Sequence, residues 1–263
     1  MAGVTGVGDR RVFISGAAAG IGRSTARCFL RDGWRVGAFD IDSAALDGLA
    51  AADTTGRLTT GHLDVTDPDE WGTRLAEFCP DGRLDVLINN AGVLSSGRFA
   101  EIDLVAHHRI IEVNVLGTVN GAHTGHRYLA ATRGAVMVNM CSASAIYGQP
   151  DLASYSASKF AIRGLSEALE LEWKAQGIRV IAMWPLFVET AMVDGMDTGA
   201  TRRLGVRLTS DDVADAIAAA VVGGHGRLPK VHYPVGRQAQ VFAGAARFSP
   251  VWANRLLNKM LAD

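Results

Sequence analysis

Along this chain, short apolar blocks alternate with longer stretches in which apolar residues recur every three or four positions. The blocks read as buried strands: Arg11–Ser15, Trp34–Asp40, Thr59–Asp64, Leu84–Ile88, Ala135–Cys141, Ile178–Met183 and Leu228–Tyr233. Pro185 breaks the sixth. The periodic stretches read as helices over Arg23–Asp32, Asp103–Tyr128, Phe160–Trp173 and, from an N-cap at Ser210, to Val222. Asp42 or Ser43 caps a helix after the second strand, and Thr66 or Asp67 another, with Pro68 near its first position. No low-complexity linker or repeat of fixed period interrupts the alternation. Strand–helix repeats joined right-handedly build one parallel sheet with helices on both faces. The expected fold is α/β, a single doubly wound domain over residues 11–235 with seven parallel strands. Residues 1–10 are expected to be a flexible start and 236–263 a helical tail.

In such sheets ligands bind beyond the carboxyl ends of the strands. Gly16, Asp40, Asp64, Asn89 and Ser142 all fall at those ends. Gly16-Ala-Ala-Ala-Gly20-Ile-Gly22 stands between a strand and a helix, where backbone N–H groups can approach a pyrophosphate. Taken alone, those glycines fit a tight turn without a ligand equally well. Asp40 lies 18 residues after Gly22, near the spacing of an acid that holds an adenosine ribose. Its charge repels a 2′-phosphate, and Ile41 follows where an arginine would welcome one, so NAD(H) is favoured over NADP(H). Asn89-Asn90-Ala91-Gly92 suits a backbone passing close to a ligand.

The stretch Ser142–Lys159 carries the candidate chemistry. Tyr155 and Lys159 are four apart, about 40° on a helix. A lysine ammonium near a phenol lowers its pKa from about 10, and such a tyrosine serves as general acid or base. Ser142 can reach the same point and hydrogen-bond a substrate oxygen. A lone Tyr-x-x-x-Lys is also common on solvated helix faces, so the rest of the chain decides.

Composition narrows the class. An apolar share of 48%, a charged share of 20% and a net charge of -1 describe an ordinary globular protein with no electrostatic case for nucleic-acid binding. Cys28, Cys79 and Cys141 form no CxxC pair and suit a reducing compartment. Met1–Arg11 lacks an apolar signal core, and no apolar run nears the ~18 residues of a spanning helix, which points to the cytoplasm. His123 and His126 can share a helix face without a carboxylate or cysteine beside them, so no metal is expected.

Together these residues resemble the short-chain dehydrogenase/reductases over roughly residues 11–233. The family's Thr-Gly-x-x-x-Gly-x-Gly appears from Ser15 to Gly22 with serine for threonine; its Asn-Asn-Ala-Gly is Asn89–Gly92; its Tyr-x-x-x-Lys is Tyr155 and Lys159. Its catalytic serine and asparagine match Ser142 and Asn114. The resemblance implies a Rossmann fold and hydride transfer between nicotinamide and a carbinol carbon. It gives Tyr155 the proton, Ser142 the substrate oxygen, Lys159 the nicotinamide ribose, and Asn114 a water in a relay. It assigns the cofactor to Gly16, Ala18, Ala19, Gly20, Ile21, Asp40, Ile41, Asp64, Val65, Asn90, Ala91, Gly92, Tyr155, Lys159, Pro185, Val188 and Thr190. Leu186 departs from the family's usual Pro-Gly and is expected to reshape the pocket.

Substrate contacts are expected from Ser144, Gln149, Leu186 and Met192, with Ala143, Ile146, Trp184, Val193 and Met196 nearby. These are mostly apolar, with no arginine or lysine placed for an anion. A hydrophobic secondary alcohol or ketone follows, of lipid, terpenoid or steroid kind, under a lid over about residues 186–207. An NADPH-dependent carbonyl reductase and a non-catalytic nucleotide sensor are the rival readings. The resemblance also implies a homo-oligomer, dimer or tetramer, through the helices holding Asn114 and Tyr155. In the tail, Ser249-Pro250 opens a helical pattern with Trp252, Leu256 and Met260. It suits packing on the body or a subunit interface, or alternatively weak contact with a membrane surface.

Overall fold

The computed structural model describes residues 10–192, 198–223, 230–248 and 259. Its sheet comprises β1 (Arg11–Ser15), β2 (Arg35–Asp40), β3 (Leu58–His62), β4 (Val86–Asn89), β5 (Val136–Met140), β6 (Arg179–Pro185) and β7 (His232–Val235). All seven run parallel in the order β3-β2-β1-β4-β5-β6-β7. The order reverses between β1 and β4, the switch point at which α/β sheets open a ligand crevice.

Alternation along β1 separates two cores. Val12 and Ile14 face one side, with α1 (Gly20–Arg31), α2 (Ser43–Ala51) and α8 (Ser210–Val222). Phe13 faces the other, where it stacks on Phe39 and Trp71. There lie α3 (Pro68–Phe78), α5 (Gly117–Ala130) and the end of α6 (Ala153–Trp173). Between α3 and α5 runs the short α4 (Leu104–Ile111). Strands buried on both faces read as apolar runs without alternation, as seen in the sequence.

Several boundaries differ from the sequence expectations, each for a local reason. α1 starts at Gly20 rather than Arg23, so the glycine-rich turn enters the helix. α6 reaches back from Phe160 to Ala153, which places Tyr155 and Lys159 in its first two turns. The expected single helix over Asp103–Tyr128 is three pieces: α4, a π turn over Glu112–Leu116, and α5. π turns insert an extra residue and are frequent at functional sites. Pro185 closes β6 instead of breaking it, paired with Val235. Thr209, not Ser210, caps α8: its hydroxyl accepts from Asp212 N at 3.1 Å while the Asp212 carboxylate accepts from Thr209 N at 2.9 Å. Asp67 caps α3 with Pro68 at N1. β7 begins at His232, and Leu228 lies outside the described residues.

The short α7 (Gly199–Leu204) follows Thr198. α9 (Gly236–Phe248) packs on the body: Ala239 is fully buried and Phe242 meets Tyr147 edge-on at 6.4 Å. The expected tail boundary at residue 236 therefore falls at the start of an integrated helix. Trp252, Leu256, Met260, Val193 and Met196 lie outside the described residues, as does the N-terminal segment 1–9. Among the described residues no helix is long and apolar enough to cross a membrane.

Candidate active site

A cleft of about 350 Å³ opens along the carboxyl ends of the strands. Its floor at one end is the β1–α1 turn. Gly16 sits at φ +68, where a Cβ would stand 2.6 Å from Ala91 Cα, and Gly20 sits at φ +49. A Cβ on Gly22 would lie 2.0 Å from the Gly16 carbonyl, so the turn closes only around glycine. Asn90 fastens it: Nδ2 donates to Ser15 O at 3.1 Å and Gly16 O at 2.8 Å. Ser15 Oγ in turn accepts from Asn90 N and Ala91 N at 3.2 and 3.3 Å. Asn89 points away into the core, where it donates to Asn139 Oδ1 at 2.9 Å.

Asp40 ends β2 on the cleft wall and accepts from Ala18 N at 2.9 Å and Asp42 N at 3.0 Å. Ala18 itself does not line the cleft, and its N–H positions the Asp40 carboxylate instead. Asp64 accepts from Thr66 N and Oγ1 at 2.9 and 2.7 Å. Burial pushes its carboxyl upward, but these hydrogen bonds and the Arg109 guanidinium hold it below its ordinary value.

Asn114 sits in the π turn, 1% exposed. Its Oδ1 accepts from Val93 N at 2.8 Å, and Nδ2 donates to Val93 O at 2.9 Å and Ser158 Oγ at 3.1 Å. Both amide protons are thus committed to clamping the strand-4 exit against α6, and the Asn114 carbonyl accepts from Thr118 Oγ1. Asn114 does not line the cleft, although the Val93 it holds does.

At the other end stand Ser142, Tyr155 and Lys159, all on the cleft wall. Ser142 Oγ is hydrogen-bonded to Ser144, accepting from its N–H at 3.1 Å. The expectation that Lys159 lowers the Tyr155 pKa is not met here. Burial pushes the phenol up to about 12; the nearby Ser142 hydroxyl pulls against this and Cys141 adds to it. Lys159 Nζ is 5.4 Å from the Tyr155 ring centre and donates to Met140 O at 2.8 Å. Its own pKa is lowered by burial. Desolvation is therefore the largest influence on both groups.

Ala19, Ile21, Ile41, Val65, Ala91, Gly92, Pro185, Leu186, Val188, Thr190 and Met192 line the cleft as the sequence suggested. Ser144 and Gln149 do not: both are 3% exposed and turned behind Ser142. Trp184 packs on the back of β6 with Ile162 and Cys141. The sequence reading missed Leu63, Val93, Arg109, Val113, Met140, Cys141 and Ala191. Arg109 brings a guanidinium to the cleft, where its charge acts on Asp64. Its signal was available, since Arg109 and Val113 are four apart and share a helix face.

Comparison with known proteins accords with this geometry. The family model for short chain dehydrogenases matches residues 10–200. A cis-4-hydroxycyclohexanecarboxylate dehydrogenase of Sinomonas cyclohexanicum is 33% identical over 222 residues, 80% of this chain and 88% of that protein. A 3-alpha-(or 20-beta)-hydroxysteroid dehydrogenase of Mycobacterium tuberculosis is 34% identical over 186 residues, 69% of this chain and 70% of that protein. A Burkholderia cenocepacia short chain dehydrogenase in complex with NADP superposes with TM-score 0.82 at 24% identity, over 98% of this chain and 99% of that one.

Proposed function

This chain belongs to the short-chain dehydrogenase family, and from that premise we propose that it is an NAD(H)-dependent oxidoreductase of hydrophobic secondary alcohols and their ketones. The family acts on CH–OH or keto groups with a nicotinamide cofactor. The observation that carries the finer reading is the cleft wall that Ser142, Tyr155 and Lys159 share with Leu186 and Met192.

The residues fit a dinucleotide. The amino end of α1 faces the cleft with no side-chain cap and no acid in its first turn, which suits a diphosphate. Asp40 keeps lone pairs for ribose hydroxyls beyond the backbone N–H groups it accepts. Its charge opposes a 2′-phosphate, and Arg23 is turned to Ala45 O at 3.4 Å. The cofactor supplies the hydride donor or acceptor. Tyr155 gives its proton to a ketone oxygen in reduction and takes one from the alcohol in oxidation. Ser142 holds the same oxygen as charge develops on it. Lys159 serves the ribose from the floor of the cleft, and Asn114 fixes the strand-4 exit on which the cofactor would lie.

Val93, Leu186, Val188, Ala191 and Met192 make the cleft wall apolar, while the acids Asp40 and Asp64 belong to the β2–β3 end. The two relatives are named for hydroxyl groups of a cyclohexanecarboxylate and of a steroid. Ring alcohols are therefore the first probes. Exposed Leu104, Val105, Leu116 and Phe160 on the α4–α6 surface support a homo-oligomer.

The test is calorimetric titration with NADH and NADPH of the native protein and of Asp40→Ser, followed by a screen of alcohols. NADH is expected to bind at least ~10-fold tighter than NADPH, with the preference lost in Asp40→Ser. Tighter NADPH binding overturns the cofactor reading. Turnover of sugars with none of ring alcohols overturns the substrate reading.

A further inference from the structure

The helix that carries Tyr155 starts without a cap: Leu152 offers its first turn no side-chain hydrogen bond. An uncapped first turn frays unless tertiary contacts hold it. Here three serines around Tyr155 supply them. Ser154 Oγ lies 2.7 Å from His107 Nδ1 on α4. Ser156 Oγ accepts from Gln149 N at 3.1 Å, in the turn before the helix. Ser158 Oγ accepts from Asn114 Nδ2 at 3.1 Å and donates to Tyr155 O at 2.7 Å. His107 and Asn114 are seven residues apart, two turns along the same stretch of α4 and π turn. That stretch grips α6 at two points, one residue before Tyr155 and three after it.

The His107 tie has a direction. Nε2 stands 3.0 Å from Phe99 O, and a carbonyl only accepts, so the ring proton sits on Nε2. Nδ1 of the neutral ring is then a lone pair, and Ser154 donates to it. The imidazole is buried, with the Phe99 ring stacked on it at 4.4 Å. It thus joins the loop that leaves the cleft at Val93 to the first turn of α6. A second tie joins the same two segments: Gly97 N donates to Asp151 O at 2.9 Å. Asp151 stands at φ +64, the one non-glycine residue with a positive φ among the described residues. Such backbone persists where its surroundings hold it. We propose that His107 is a positioning residue: by binding Ser154 and Phe99 O together it fixes the first turn of α6, and with it the place of the Tyr155 hydroxyl on the cleft wall. Asn114 alone would leave the start of the helix free to pivot about Ser158.

The proposal rests on the dehydrogenase reading for what Tyr155 does, yet its first readout needs no substrate. His107→Phe keeps a ring against Phe99 and removes both hydrogen bonds. Ser154→Ala breaks one of them from the other side, at a half-buried position, and keeps the test open should His107→Phe unfold the chain. Hydrogen–deuterium exchange is followed at the amides of Leu152 and Ser156, which bond to Gln149 O and Leu152 O, with β5 as the internal reference. Both variants are expected to exchange about 10-fold faster at the helix start and unchanged in β5. With an alcohol that the native protein oxidises, each is expected to lose about 10-fold in kcat, with KM and NADH affinity within a few-fold. Because both act through one hydrogen bond to Ser154, the double variant should lose no more than His107→Phe. Unchanged exchange at Leu152 and Ser156 overturns the proposal, as does an unchanged kcat or a loss that multiplies in the double variant. If exchange rises as expected and the native protein turns over no alcohol, the fixing of the helix start stands and the dehydrogenase reading fails.

Discussion

The two ends of the cleft are built by different means. At the β1–β2 end, the recognising atoms are backbone N–H groups, a helix terminus and one carboxylate, fixed by glycines that admit no side chain. At the β5–β6 end, they are the side-chain hydroxyls of Ser142 and Tyr155, the first hydrogen-bonded to Ser144 buried behind it. A site made of backbone fails when its shape changes. A site made of hydroxyls can keep its shape and fail through one proton. The two ends should therefore answer differently to substitution.

The largest separation is expected from Tyr155→Phe. It removes the proton-transferring hydroxyl and leaves the ring, so turnover falls by about 10²–10⁴-fold. NADH affinity measured by calorimetry stays within a few-fold, because the proposed diphosphate and adenosine-ribose contacts lie at the other end and Lys159 is untouched. A parallel loss of NADH binding breaks the division into two ends.

Gly22→Ala makes the converse cut. Its Cβ would meet the Gly16 carbonyl at 2.0 Å, with the Asn90 amide at 2.6 Å. The crowding is backbone against Cβ and cannot be relieved by a rotamer, so a cost of about 1–3 kcal/mol is expected in denaturant unfolding. NADH affinity falls with it. Gly48→Ala serves as the control, since nothing lies within 4 Å of its added Cβ. There a helix-interior alanine should add about 0.5–1 kcal/mol.

The pH dependence sharpens the substrate end. A tyrosine raised to about 12 in the folded protein is ionised less than an unfolded one, whose value is about 10. Its stabilising contribution is fully present below the unfolded value and is lost as pH rises through the folded one. For catalysis the sign is the same. Alcohol oxidation, which needs the phenolate, should climb about tenfold per pH unit from neutrality. Ketone reduction, which needs the phenol, should stay level over that range. A plateau of oxidation at neutral pH shows that Tyr155 is not held protonated.

The same contrast explains what could be read in advance. Gly16, Gly20, Asp40 and Asn90 were legible because each is demanded by local geometry: a positive φ, a strand end, a loop that must be fastened. The seven parallel strands of one sheet followed from apolar blocks buried on both faces. Ser144 and Gln149 were placed on the substrate because spacing gives a residue's neighbourhood and not its rotamer. Whether they face the cleft or the core was decided by the turn after β5 and by the packing of Tyr147 on α9. The π turn at Asn114 was equally hidden, since its apolar spacing is that of an ordinary helix and the clamp on Val93 is a long-range contact. The Tyr155–Lys159 pair gave the right elements, but the desolvation that shifts both groups depends on burial that no spacing reveals.

The smallest predicted effect tests where the boundary between the ends falls. Leu186 follows Pro185 at the exit of β6, where the resemblance expects glycine, and it lines the cleft. Leu186→Gly removes an apolar wall without touching a hydroxyl or a phosphate-binding N–H. A buried methylene is worth about 0.8 kcal/mol, and Leu186 is only partly buried, so about 1–2 kcal/mol of substrate contact is at stake. A small ring alcohol that rested against the wall should lose about 5–30-fold in KM, with kcat within a few-fold. A bulkier alcohol of steroid size should lose less, because it can fill the space released. NADH affinity should stay nearly constant. If NADH affinity instead drops as far as the small alcohol's KM rises, Leu186 belongs to the cofactor's wall. The division between a backbone-made end and a side-chain-made end then lies on the substrate side of β6.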